Sequence, residues 1–155
     1  MAPLPYSADA QRRFMAEALA ESRHALPACL PNPPVGCVIV KGDTIVARGF
    51  TRAPGEPHAE AAALRALDPR EPVDTLTMFV TLEPCAFVGR TPSCARAVEM
   101  SGIRQVYVGT LDPDPRNNGA GIEIMRAAGI AVHVGVSEAE VLAFIAPYLL
   151  TAPRR

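Results

Sequence analysis

A chain of 155 residues with 49% hydrophobic and 20% charged side chains has enough material for one continuous core and the balance of a soluble globular protein. A formal net charge of −1, 5% aromatic residues and no tryptophan give no electrostatic or stacking basis for generic nucleic-acid binding. Met1 to Asp9 lacks a basic segment followed by an apolar one, no apolar run nears the length of a membrane span, and four cysteines without a secretory leader read as reduced thiols or metal ligands, so the expected location is the cytoplasm.

Phe14 to Leu26 places Phe14, Ala18, Leu19 and Leu26 at roughly helical spacing, which predicts an amphipathic helix that Ser7 or Asp9 can cap. Pro27, Pro31, Pro33 and Pro34 then fix φ and remove donors, so a rigid loop follows. Val35 to Val40 is an unbroken apolar run, the pattern of a strand buried on both faces, and Thr44 to Phe50 is its hairpin partner across the Gly42-Asp43 turn. Glu60 to Leu67 reads as a helix with His58 at or just before its N-terminus. Thr77 to Leu82 reads as a strand delivering Glu83-Pro84-Cys85 at its end. A helix over Ser93 to Met100, a strand over Gln105 to Thr110, a helix over Ile122 to Ala128 and a strand over Ile130 to Val134 complete the alternation. Ser137 can cap a last helix reaching about Tyr148, with Glu138 and Glu140 in its first turn. A hairpin followed by alternating helices and strands implies a three-layer α/β/α domain with a mixed five-stranded sheet, spanning residues 1–155 as one unit.

The chemistry-bearing residues fall at the joints of this pattern. His58-Ala59-Glu60 precedes Pro84-Cys85, and eight residues separate Cys85 from Cys94. One imidazole and two thiolates make three ligands of a tetrahedral zinc ion, one per chain, and leave a fourth position for water, as a catalytic site requires. Two helix N-termini beside the ligands favour thiolate over thiol. Glu60 is then a proton shuttle between that water and a leaving nitrogen, and the pattern as a whole is that of zinc deaminases acting on nucleobase-type amines. The Cys85 N–H and the Glu83 carbonyl are candidates to orient the substrate amine. Taken singly, these residues have ordinary explanations: a helix-capping histidine, buried thiols, a first-turn carboxylate. Their joint spacing favours the metal. Cys37, inside the apolar run, reads as core; Cys29 as incidental; His24 and His133 as structural or surface residues.

The stretches Pro31 to Val40, Gly55 to Leu64 and Thr81 to Cys94, extended by Leu111 to Pro115 and Ala127 to Val132, resemble the pyrimidine deaminase domain of riboflavin biosynthesis from about Phe14 to Tyr148. The resemblance implies the cytidine-deaminase-like fold, zinc on His58, Cys85 and Cys94, and catalysis by Glu60. It also implies substrate contacts from Asn32, Arg90, and Asp112 or Asp114, a small amino-heterocycle and water as reactants, no nucleic acid or membrane partner, and a homodimer or larger assembly. This chain has Ala86-Phe87-Val88 where the family usually has Ser-His or a similar polar pair, so Phe87 takes the position of a substrate-facing histidine in a stacking or shape-determining role. Asp114 stands where the family has asparagine. Losing a potential cation and gaining a carboxylate both oppose a nearby phosphate dianion. Members of the family commonly continue into a reductase domain; the expectation here is a stand-alone deaminase, and one reading supplies its reductase from a separate chain. The competing readings are a paralogue acting on a different, unphosphorylated amine, a polynucleotide deaminase, which the composition disfavours, and a silent zinc-binding module, which would need neither Glu60 nor an open ligand position.

Overall fold

The structure, a computed structural model, describes residues 3–88 and 93–149. Its elements in chain order are α1 (Ala8–Arg23), β1 (Gly36–Lys41), β2 (Thr44–Phe50), α2 (Ala59–Ala66), β3 (Thr77–Leu82), α3 (Cys94–Ser101), β4 (Gln105–Thr110), α4 (Ala120–Ala127), β5 (Ala131–Val134) and α5 (Glu138–Leu149). The strands form one mixed sheet in the order β2-β1-β3-β4-β5. β1 pairs antiparallel with both β2 and β3, whereas β3–β4 and β4–β5 are parallel. This is the mixed five-stranded α/β sheet expected from the alternation of patterns.

The three inner strands are buried along nearly their whole length, which explains the apolar stretches at their centres, Cys37 to Val40, Met78 to Val80 and Val106 to Val108. Helices α1 and α5 pack on one face, with Arg23 of α1 over the Phe144 ring of α5. Helices α2, α3 and α4 contact one another in series on the other. α1 lies so close to the sheet that a Cβ on Gly36 would stand 1.8 Å from the Ala18 carbonyl oxygen. On the β4 side, Tyr107 stacks between Phe79 and His133, with ring centroids 4.7 and 4.5 Å away, which gives His133 a packing role on the edge strand.

Three details differ from the sequence expectation. The first helix starts at Ala8, because Ser7 caps it by accepting the Ala10 N–H, and it ends at Arg23 before the proline-rich loop. A single 3-10 turn over Val73–Thr75 precedes β3. α4 begins at Ala120, with Gly119 in the left-handed region as its N-cap. No described helix is long and apolar enough to cross a membrane.

Candidate active site

The C-terminal ends of β3 and β4 open between the N-termini of α2, α3 and α4, and the candidate site lies in that opening. His58 is the N-cap of α2 in extended conformation, and its side chain makes no capping bond to the helix. Cys94 is the first residue of α3, which Ser93 caps by accepting the Arg96 N–H. The Ser93 hydroxyl also donates to the Cys85 carbonyl at 2.8 Å, and the Ala95 N–H donates to the same oxygen at 3.0 Å. The loop after β3 is thus tied to the start of α3, and the Cys94 N–H points at the Cys85 sulfur, 3.3 Å away. Two of the three candidate ligands stand at helix N-termini; Cys85 stands on the loop between β3 and α3.

The His58 Nδ1 lies 3.3 Å from the Cys94 Sγ and 4.0 Å from the Cys85 Sγ, and the three ligand atoms all fall within 4.8 Å of one another. Tetrahedral zinc with ordinary bond lengths needs nitrogen–sulfur separations of about 3.6 Å. The donor set therefore fits the ion: His58, Cys85 and Cys94 are positioned to bind zinc. The Cys94 hydrogen bond, helped by His58, draws the Cys85 thiol down to about 5. Cys94, holding the shared proton and buried, is pushed well above the ordinary thiol range. A bound dication takes both as thiolates and releases that proton.

Glu60, in the first turn of α2, is 3% exposed. Burial first, and the neighbouring Cys85 second, lift its carboxyl to about 7, with His58 pulling in the opposite direction. A carboxyl poised there can take and return a proton near neutral pH.

His58, Glu60 and Cys85 line a cleft of about 470 Å³ that is open to solvent. Asn32 and Val35 come to it from the proline-rich segment before β1, Thr51 from the end of β2, and His58 and Glu60 from α2. Glu83, Cys85 and Phe87 reach it from the loop after β3, and Asp112 and Asn117 from the turn between β4 and α4. The sequence reading anticipated Asn32, Phe87 and Asp112 here, and missed Thr51 and Asn117. An Asn-Asn-Gly stretch reads only as turn chemistry, and Thr51 carries no local signal at all.

Asp114 is not among the lining residues. Its carboxylate takes both the Nε and the Nη2 of Arg116, the latter at 2.6 Å, and the Arg116 guanidinium lies 3.9 Å from the centre of the Phe87 ring. The negative charge anticipated at this position is thus offset by a cation two residues on. Glu83 has a carboxylate that accepts the backbone N–H groups of Asp112, Gly119 and Gly121 at 2.9–3.1 Å, which ties β3 to the turn preceding α4. Gly121 must be glycine for this approach, since a Cβ there would meet the Pro84 carbonyl oxygen at 2.0 Å. Arg90 lies outside the described residues.

Residues 8–110 match the family described as the cytidine and deoxycytidylate deaminase zinc-binding region. The riboflavin biosynthesis protein RibD of Chlamydia muridarum is 41% identical over 143 residues, covering 92% of this chain but only 38% of its own length. The chain therefore spans about two-fifths of that relative. The diaminohydroxyphosphoribosylamino-pyrimidine deaminase of Buchnera aphidicola is 40% identical over 83% of this chain and 86% of its own. Among solved structures, the diaminohydroxyphosphoribosylaminopyrimidine deaminase/5-amino-6-(5-phosphoribosylamino)uracil reductase of Thermotoga maritima superposes with a TM-score of 0.86 at 39% identity, covering 93% of this chain and 41% of its own.

Proposed function

The chain belongs to the cytidine and deoxycytidylate deaminase zinc-binding family of hydrolytic enzymes, and we propose that it deaminates the diaminohydroxyphosphoribosylaminopyrimidine of riboflavin biosynthesis. The observation that carries this reading is the buried Glu60 carboxyl beside the His58, Cys85 and Cys94 triad on the floor of an open cleft. Zinc, when bound there, supplies the Lewis acid that activates water for attack on the amine-bearing ring carbon. Glu60 takes one proton of the attacking water and hands it to the ring nitrogen, where it stays, then takes the proton of the newly added hydroxyl and hands it to the departing ammonia. The Cys85 N–H and the Glu83 carbonyl orient the amine, while Asn32, Phe87 and Asp112 line the space for the heterocycle. Similarity over 86% of the Buchnera deaminase supports the pyrimidine as substrate. We read residues 1–155 as one cytoplasmic deaminase unit. Exposed Met100 and Val88, on the helix and loop that carry Cys94 and Cys85, support assembly as a homodimer or larger.

One observation favours a second reading, a related amine without the phosphate. Phe87, Arg116 and Asp114 form a closed stack in which the guanidinium is already engaged by a carboxylate. Both readings are tested by ammonia release from zinc-loaded protein. The substrates are the pathway pyrimidine with and without its phosphate, and cytosine, guanine and adenine derivatives. Turnover of the phosphorylated pyrimidine is expected; turnover of only another amine would replace the first reading by the second. Glu60→Gln is expected to keep zinc and lose about 10²–10⁴-fold in turnover. Retained activity would remove Glu60 from its assigned role.

A further inference from the structure

Asn117 stands where the metal-bearing loop meets the opposite wall of the cleft. It lies in the turn between β4 and α4, is 4% exposed and lines the cleft. Its Oδ1 accepts the Ala86 N–H at 2.8 Å, and its Nδ2 donates to the Asp112 Oδ2 at 2.9 Å. The two partners fix the amide's orientation: an N–H can be met only by the oxygen, and a carboxylate only by the nitrogen. The main chain holds the residue as firmly, since the Asn117 N–H donates to the Asp114 carbonyl at 2.8 Å and the Ala120 N–H donates to the Asn117 carbonyl at 2.6 Å. Ala86 has no polar side chain, so its tie across the cleft runs through its backbone N–H to Asn117. That N–H belongs to the residue after the ligand Cys85.

We propose that Asn117 is a positioning residue: its one amide locks the Cys85–Ala86 backbone to the Asp112 carboxylate, so that the metal triad and the substrate wall keep a single relative geometry. The reasoning is mechanical. Cys85 is held from the α3 side by Ser93 and Ala95; from the α4 side Asn117 bonds the main chain of the same turn, and Arg116 covers its Phe87 ring. A substrate held between the two walls binds most tightly when their separation is already set, so a link between them has a consequence for KM that ordinary packing lacks. The kinetic half of this inference rests on the deaminase reading; the metal half does not.

Two substitutions separate the two hydrogen bonds. Asn117→Asp is isosteric and keeps the acceptor for Ala86, but it loses the donor to Asp112 and sets two carboxylates together. Asn117→Leu loses both bonds. In the zinc-loaded full chain, Asn117→Asp is expected to raise KM about tenfold or more with kcat changed by less than about threefold. The ligand-field absorption bands of its Co(II)-substituted form should match the wild type. Asn117→Leu is expected to raise KM similarly, to shift the Co(II) bands and to weaken Co(II) binding about tenfold. A wild-type KM in both variants together with unchanged bands overturns the proposal, as does a lower melting temperature as the only change. Should the wild-type protein release no ammonia from any compound offered, the deaminase reading fails, and the Co(II) bands of Asn117→Leu decide on Asn117: unchanged bands overturn it, shifted bands uphold it. Asn117→Ala takes the cobalt arm if the leucine variant does not fold.

Discussion

On one side of the cleft, His58, Glu60 and Cys94 sit within a turn of helix N-termini, and Cys85 follows Pro84 on the loop just beyond the buried strand β3. On the other side, Asp112, Asp114, Arg116 and Asn117 occupy an irregular turn, held by side chains that reach each other and the loop after β3. The first wall is specified by local spacing and helix capping; the second by side-chain bonds within one irregular turn and by the bond from that turn to the loop after β3. Substitutions on the two sides should therefore fail in different ways.

The largest effect is expected on the metal side. Cys94→Ala removes one of three ligands and also the thiol that hydrogen-bonds Cys85, so zinc content and turnover should fall together, with metal affinity down by orders of magnitude. Metal analysis and ammonia release on the same sample check this. A variant that keeps stoichiometric zinc would break the distinction, because the site would then not depend on the spacing that defines it.

Glu83→Gln probes the other wall at its root. The carboxylate accepts three backbone N–H groups, from Asp112 and Gly119 of the β4–α4 turn and from Gly121 in the first turn of α4, while nearly fully buried, and a neutral amide is a weaker acceptor that also brings two donors into that space. The expected loss is about 1–3 kcal/mol of stability by chemical denaturation, with zinc still bound. Loss of zinc at unchanged stability would mean that the two walls are not separate.

The same division explains what could be read from the chain before its fold was known. Strand runs such as Thr77 to Leu82 and Gln105 to Thr110 were legible because each has an apolar, β-branched or aromatic centre (Met78 to Val80, Val106 to Val108), and the His-x-Glu and Cys94 positions were legible because they ride on helix starts. Asp114 was read as an uncompensated charge because its neutralising partner, Arg116, is recognisable only once the turn brings the guanidinium round to it and onto Phe87. Thr51 and Asn117 were missed for a related reason. Each meets its partner across the fold: the Thr51 hydroxyl accepts the Val35 N–H, and Asn117 bridges Ala86 and Asp112. The Val35 and Ala86 ends of these bonds lie far from Thr51 and Asn117 in the chain, beyond the reach of local pattern.

The smallest effect is expected at the rim, where Arg116 covers one face of Phe87. The Arg116–Asp114 pair is partly exposed and adds little stability, so its value lies in holding the aromatic ring in one orientation at the cleft. A cation–π contact at such a site contributes about 0.5–1 kcal/mol. Arg116→Ala should therefore raise KM by about two- to fivefold, leave kcat and zinc content alone, and barely move the melting temperature. Arg116→Lys keeps the charge but loses the planar stack and the two-pronged grip on Asp114, so it should behave like the alanine variant if ring orientation is what matters. If lysine restores the wild-type KM, charge at the rim is the operative property, and the reading in which the cleft receives a phosphorylated pyrimidine gains at the expense of the unphosphorylated amine.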